Sequence, residues 1–169
     1  KIKQMDGSKR INYFLSQGNT LFCCTDFGII LINIDKKEVA STWYIGPQAS
    51  NLQVFQLCIN DDDVYAATDK GLRKTSLTAS NPANFENWQL ISPTNEPYCS
   101  VVWFSGQLIA AQGLKGQQNA IQSFSDNNVT LVSSVYLFQN LNTYNNELFV
   151  IASDAIRTYN TSLQLTQSL

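Results

Sequence analysis

Three aspartates recur at matching places in the sequence: Asp26, Asp69 and Asp154. Carboxylates are what a chain without histidine would have to use for acid–base work, and this chain of 169 residues has no histidine. A Ser-His-Asp triad, a histidine general base and a histidine metal ligand are therefore excluded. The setting of the aspartates points to structure rather than catalysis. Thr25-Asp26-Phe27-Gly28 and Thr68-Asp69-Lys70-Gly71 repeat one pattern, in which an aspartate can hold an Asx turn and a glycine can take positive φ. The run Asp61-Asp62-Asp63 lacks the alternating oxygen ligands and distal glutamate of a calcium loop, and reads as a solvated hairpin tip. The expectation is no catalytic residue, no metal site and no cofactor; no ligand-binding residue can be named.

Cys23, Cys24, Cys58 and Cys99 fit neither a zinc site nor a redox C-x-x-C pair, and read as small buried residues. Trp43, Trp88 and Trp103 could stack on a sugar or peptide. Trp43 and Trp88 fall on outer strands, where an aromatic closes gaps between sheets, and Trp103 falls in a core strand.

The elements that carry these residues are repeats. The hydrophobic residues Leu21, Val64, Leu108 and Leu148 open four similar units, at steps of 43, 44 and 40 residues. A period of about 40 to 45 residues is the length of a four-stranded propeller blade. Within each unit, short apolar runs alternate with turn residues such as Gln17-Gly18-Asn19, Ser105-Gly106, Asn145-Asn146 and Asp126-Asn127-Asn128, which reads as hairpins. Cys23-Cys24, Ala66-Ala67 and Ala110-Ala111 share one place in the second strand, where converging blades leave room only for small side chains. Two connections depart from the pattern: Gln112 to Ala120 in the third unit and Thr78 to Trp88 in the second. Loops of this kind on a rigid scaffold are where a partner could be read.

Net charge is −2 and charged residues make up 14%, with no basic run, so nucleic acid is not an expected partner. No apolar stretch approaches the roughly 20 residues that cross a bilayer as a helix.

The expected fold is all-β: a propeller of four-stranded antiparallel blades, four of them at about residues 8–46, 52–92, 98–135 and 136–169. Four is the low end of the propeller range, and no leftover strand is available to close the ring, so the chain reads as a segment of a larger propeller. Such a segment leaves apolar faces on its end blades, which favour a homodimer.

Gly28 with its apolar strand, Thr42-Trp43-Tyr44-Ile45-Gly46, Ala67-Thr68-Asp69-Lys70-Gly71 and the stretch from Asn81 to Trp88 resemble the N-terminal propeller of the PorZ family, surface components of the type IX secretion system of Bacteroidetes. The likeness covers about residues 20 to 92; beyond it only the blade pattern continues. The propellers of two-component regulators share the Thr-x-x-Gly turn but usually carry a Trp where this chain has Tyr65. The resemblance implies a non-catalytic scaffold or binding module at the cell surface or in the periplasm. Its implied partners are proteins of a secretion complex or a surface glycan, with no membrane span of its own. The alternative is the ligand-sensing propeller of a hybrid sensor kinase. A glycan-cleaving enzyme is disfavoured by the missing histidine.

Overall fold

The computed structural model describes residues 8–78, 81–125 and 128–169. Four antiparallel sheets follow one another along the chain, each with its strands in sequential order. Blade 1 holds β1 (Ile11–Gln17), β2 (Thr20–Thr25), β3 (Gly28–Asn33) and β4 (Glu38–Trp43). Blade 2 holds β5 (Val54–Asn60), β6 (Asp63–Thr68), β7 (Gly71–Ser76) and β8 (Gln89–Leu90). Blade 3 holds β9 (Tyr98–Phe104), β10 (Gln107–Gln112), β11 (Asn119–Ser125) and β12 (Asn128–Val135). Blade 4 holds β13 (Phe138–Tyr144), β14 (Glu147–Ala152), β15 (Ile156–Tyr159) and β16 (Leu165–Ser168). This is the all-β architecture of a propeller segment. The turn expected at Asp126-Asn127-Asn128 lies partly outside the described residues.

The first strand of each blade packs against the first strand of the next, from β1 to β5, β5 to β9 and β9 to β13. Burial follows the same order. One cluster joins Phe22, Cys24, Ile29 and Trp43 of blade 1 to Val54, Val64 and Ala66 of blade 2. A second joins Tyr65 and Ala67 to Tyr98, Val101 and Ala110, and a third joins Ile109, Ala111 and Ile121 to Leu141, Leu148 and Val150. The small pairs are buried as expected: Cys23, Cys24, Ala66, Ala67, Ala110 and Ala111 are all at most 1% exposed. Blade 4 has Val150-Ile151 in that place, opposite Leu141 and Asn140.

Trp43 and Trp88 fill the gap between blades 1 and 2, their rings 6.2 Å apart. Drawing Trp88 inward shortens the outer strand of blade 2. Gln89 and Leu90 pair with β7, Ile91 N–H donates to the Leu72 carbonyl at 2.9 Å, and Ser92 Oγ then accepts the Leu72 N–H at 3.0 Å in place of a strand.

The tight turns differ from expectation in one respect. The threonine closes them, not the aspartate. Thr25 Oγ1 donates to the Gly28 carbonyl at 2.9 Å and accepts the Phe27 N–H; Thr68 Oγ1 does the same with Gly71 at 2.7 Å and Lys70. Gly28 and Gly71 have φ of 145° and 90°, which L side chains rarely adopt. The aspartates are thereby free to reach further.

Candidate functional site

Asp26 and Asp69 tie their turns to the inner strands. Asp26 Oδ1 accepts Asn12 Nδ2 of its own blade at 3.0 Å and Gln53 Nε2, which leads into blade 2, at 2.6 Å. Asn12 Nδ2 also reaches the Val54 carbonyl of blade 2 at 2.9 Å. Burial raises the Asp26 carboxyl, but hydrogen bonds from Ser8, Asn12 and Gln53 and the nearby Arg10 outweigh it and hold the group below its ordinary range. Asp69 accepts the Gln53 N–H at 3.1 Å; there burial prevails and raises the carboxyl. Asp154 lies on the exposed turn of blade 4. Asp26 and Asp69 thus both bind Gln53 between blades 1 and 2, while Asp154 stands apart on blade 4. The Asp61 to Asp63 run diverges as well: Asp61 faces Asn60, Asp62 faces Thr78, and Asp63 sits 2.7 Å from Lys74 Nζ.

The residues that do converge lie on the propeller axis. Tyr13, Gln56, Ser100 and Asn140 stand at one level, one from each innermost strand, opposite Cys24, Ala67, Ala111 and Ile151. In every case the register shifts just before the residue, so an extra residue in the inner strand re-aims it. Ser100 Oγ lies 2.5 Å from Gln56 Oε1 and 3.2 Å from Asn140 Oδ1, and accepts the Leu141 N–H at 3.1 Å. Gln56 and Ser100 are 3% and 0% exposed. Burial raises the Tyr13 hydroxyl above its ordinary range, against a hydrogen bond with Gln56 that lowers it.

Tyr13, Gln56 and Asn140 of this belt line a cavity of about 360 Å³, completed by side chains such as Leu15, Cys58, Val102, Asn142 and Thr143, with Ser100 buried behind them. Every lining side chain is neutral. Toward the turns, Arg10, Asn12, Gln53 and Phe55 face Leu114 and Lys115 of the blade 3 loop across a cleft of about 530 Å³. Elsewhere, Tyr65 and Trp103 stack at 5.7 Å beside Lys74 in a cleft between blades 2 and 3. The belt was not singled out from the sequence, although a signal existed. Each member lies eight positions before one of the repeat anchors Leu21, Val64, Leu108 and Leu148.

A family model described as "TSS9, PorZ, N-terminal beta-propeller domain" matches residues 1–89. This chain belongs to the PorZ N-terminal propeller family. Solved structures agree on the fold. PorZ itself, described as an essential bacterial surface component of the type-IX secretion system of Porphyromonas gingivalis, superposes with a TM-score of 0.70 at 15% identity, over 94% of this chain and 20% of that one. The extracellular domain of BT4673 from B. thetaiotaomicron, described as a one-component system, gives 0.68 at 14% identity, over 99% and 23%. The computationally designed Ika4 protein gives 0.61 at 10% identity, over 93% and 95%. No curated protein matches the chain. The PorZ-family segment thus spans about a fifth of the PorZ chain it overlays.

Proposed function

We propose that the chain is a non-catalytic binding module of a bacterial cell-envelope assembly, periplasmic or at the surface of a Bacteroidetes-type bacterium. Its partner is a protein of a type IX secretion or surface-attachment complex, or a glycan displayed with it. The observation that carries this reading is the axial cavity. All four blades contribute to it, and its hydroxyls, carboxamides, one thiol and apolar side chains include no carboxylate, amine or guanidinium. Such a lining can recognise a ligand, and its two titratable groups, Tyr13 and Cys58, are pushed by burial away from the neutral range where acid–base catalysis works best. Family membership and the likeness to PorZ support the cellular setting.

The test is made in the full-length protein in its own bacterium. Replacing Asn142 and Thr143 together by arginine fills the cavity mouth with charge. Cargo retained at the cell surface should fall while the amount of the protein stays unchanged. Undiminished attachment would refute the reading, and so would product formation from any member of a glycan panel.

A second reading, the ligand-sensing propeller of a hybrid sensor kinase, draws on the likeness to BT4673 and on the cavity volume. About 360 Å³ lies within the range of small-molecule sites, roughly 300–1,000 Å³. The complete polypeptide separates the two readings. A membrane helix followed by kinase motifs supports the sensor; a second propeller and an export-signal domain support the scaffold.

A further inference from the structure

The joints between consecutive blades are not equally filled. Between blades 1 and 2, the indoles of Trp43 and Trp88 close the outer part, each 5% exposed. Between blades 2 and 3, the row Tyr65-Lys74-Gln89 of one sheet faces the row Trp103-Leu108-Phe124-Val129 of the other. Val129 stands at the outer end of its row, 40% exposed. The joint stays open there as a cleft of about 500 Å³, within the range of small-molecule sites. Blades 2 and 3 each have a neighbouring blade on both sides within the chain, so both walls of this cleft are set by the chain itself.

One part of the cleft is aromatic and apolar. Trp103 stacks on Tyr65 at 5.7 Å and 23°, and Phe124, Ile91 and Pro93 extend the surface. The other part is polar. Lys74 Nζ lies 2.7 Å from Asp63 Oδ2, and the Tyr65 hydroxyl donates to the same oxygen at 3.3 Å. The ammonium also stands over the Tyr65 ring, 5.4 Å from its centre. It is thereby held at the edge of the aromatic surface with protons to spare, and Asp63 balances its charge. Lys74 is the one charged side chain among the described residues that line the cleft. A fitting ligand offers C–H surface to the rings and neutral oxygens to the ammonium. A carboxylate would be repelled by Asp63, which already answers the Lys74 charge. A purely apolar group would leave the ammonium protons without an acceptor. A saturated ring that carries hydroxyls meets both demands.

We propose that the cleft between blades 2 and 3 binds a neutral oligosaccharide, with one pyranose ring against Trp103 and its hydroxyls on Lys74. Asp63 acts through Lys74, as a positioning residue. The proposal rests on the reading of the chain as a binding module, but it uses a cleft apart from the axial cavity, with which it shares Trp103 alone.

Saturation-transfer NMR and calorimetry on the full-length protein test this, with maltotetraose, cellotetraose, xylotetraose and mannotetraose as probes. At least one should bind, with saturation concentrated on ring C–H protons. Val129→Trp sets an indole in the open joint, as Trp88 does in the preceding one, and should abolish binding. An exposed strand position accepts an aromatic residue, so circular dichroism should be unchanged. Lys74→Met keeps the stem, removes the donors and should weaken binding about tenfold. Asn142→Arg with Thr143→Arg, at the axial cavity, should leave sugar binding unchanged, so failure of the axial reading and failure of this one give different results. Four silent probes at millimolar concentration overturn the proposal. So does binding that survives Val129→Trp or that the arginine pair removes. Tighter binding of tetragalacturonate, or of a proline-rich peptide, than of every neutral sugar overturns it as well.

Discussion

Blades 1 and 2 turn between their second and third strands in a different way from blades 3 and 4. In the first pair, two residues suffice, and a buried threonine hydroxyl clamps each turn from inside. In blade 3 the loop after Gln112 is longer and gains its order from its neighbour: Gly116 N–H donates to the Phe138 carbonyl at 2.7 Å, and Phe138 N–H donates to the Gln117 carbonyl at 3.2 Å. In blade 4 the turn at Ser153 leans back on Leu137. The amino-terminal half thus secures its turns locally, while the blade 3 loop is secured through the adjacent blade. Local sequence can specify the first arrangement; only assembly can specify the second.

Substitution at the turn glycines should break this contrast most strongly. A methyl group on Gly28 would collide with the Trp43 carbonyl, which is backbone and cannot turn aside. On Gly71 it would meet the side-chain atoms Leu90 Cδ1 at 2.5 Å and Ser92 Oγ at 2.6 Å, with backbone, the Thr94 carbonyl, further off at 3.1 Å. We expect Gly28→Ala to cost about 3 kcal/mol and Gly71→Ala roughly half as much, with Gly71→Val worse than Gly71→Ala because β-branching adds to the strain. Urea midpoints would show it, and equal midpoints for the two alanine variants would contradict the assigned surroundings.

Next in size is the hydroxyl clamp. Thr68→Val keeps the shape but strands the Gly71 carbonyl and the Lys70 N–H, a loss of about 1–3 kcal/mol. Ser153→Ala, on the exposed turn of blade 4, should stay within about 0.5 kcal/mol.

The aspartates sharpen the comparison through pH. The Asp26 carboxyl is lowered in the folded protein, so its contribution is present above the unfolded value and is lost as pH falls through the folded one. Asp69 is raised, so its contribution is present below the unfolded value and is lost as pH rises through the folded one. From the ordinary carboxylate pKa of about 4 downward, Asp26→Asn should flatten the loss of stability on acidification; from about 4 upward, Asp69→Asn should remove the gain that acidification brings. Matching pH profiles for the two variants would show that the carboxylates are not in the surroundings described.

The smallest effect concerns the thiols. Burial pushes Cys58 and Cys99 up to about 12 and raises Cys23 and Cys24 as well. All four should label slowly in the native state and quickly once unfolded. Cys58, half-buried on the axial cavity, should be first. Rapid native labelling of Cys23 and Cys24 would show that their strand is not packed.

Much of the fold was legible because blade geometry depends on period and residue size. The anchors from Leu21 to Leu148 and the small pairs such as Ala66-Ala67 report those directly. The axial belt was harder to read. Tyr13, Gln56, Ser100 and Asn140 share no chemistry beyond polarity, and a bulge rather than simple alternation brings each one to its level. The shortened β8 was hidden for a similar reason: Trp88 looks like a strand residue until the neighbouring blade supplies the pocket that draws it in. The threonine clamp was misassigned to the aspartates because either side chain can close such a turn from sequence alone.

The neutral lining of the axial cavity has a consequence for how tightly anything binds there at different ionic strengths. Dissolved salt weakens attraction between separated charges over a Debye length of about 8 Å at physiological concentration, but has little purchase on hydrogen bonds and apolar burial. A ligand seated between Leu15, Cys58, Val102 and Asn142 should hold equally well in dilute buffer and in brine. One that rests on Arg10 and Lys115 in the separate cleft toward the turns should loosen as the medium grows saltier.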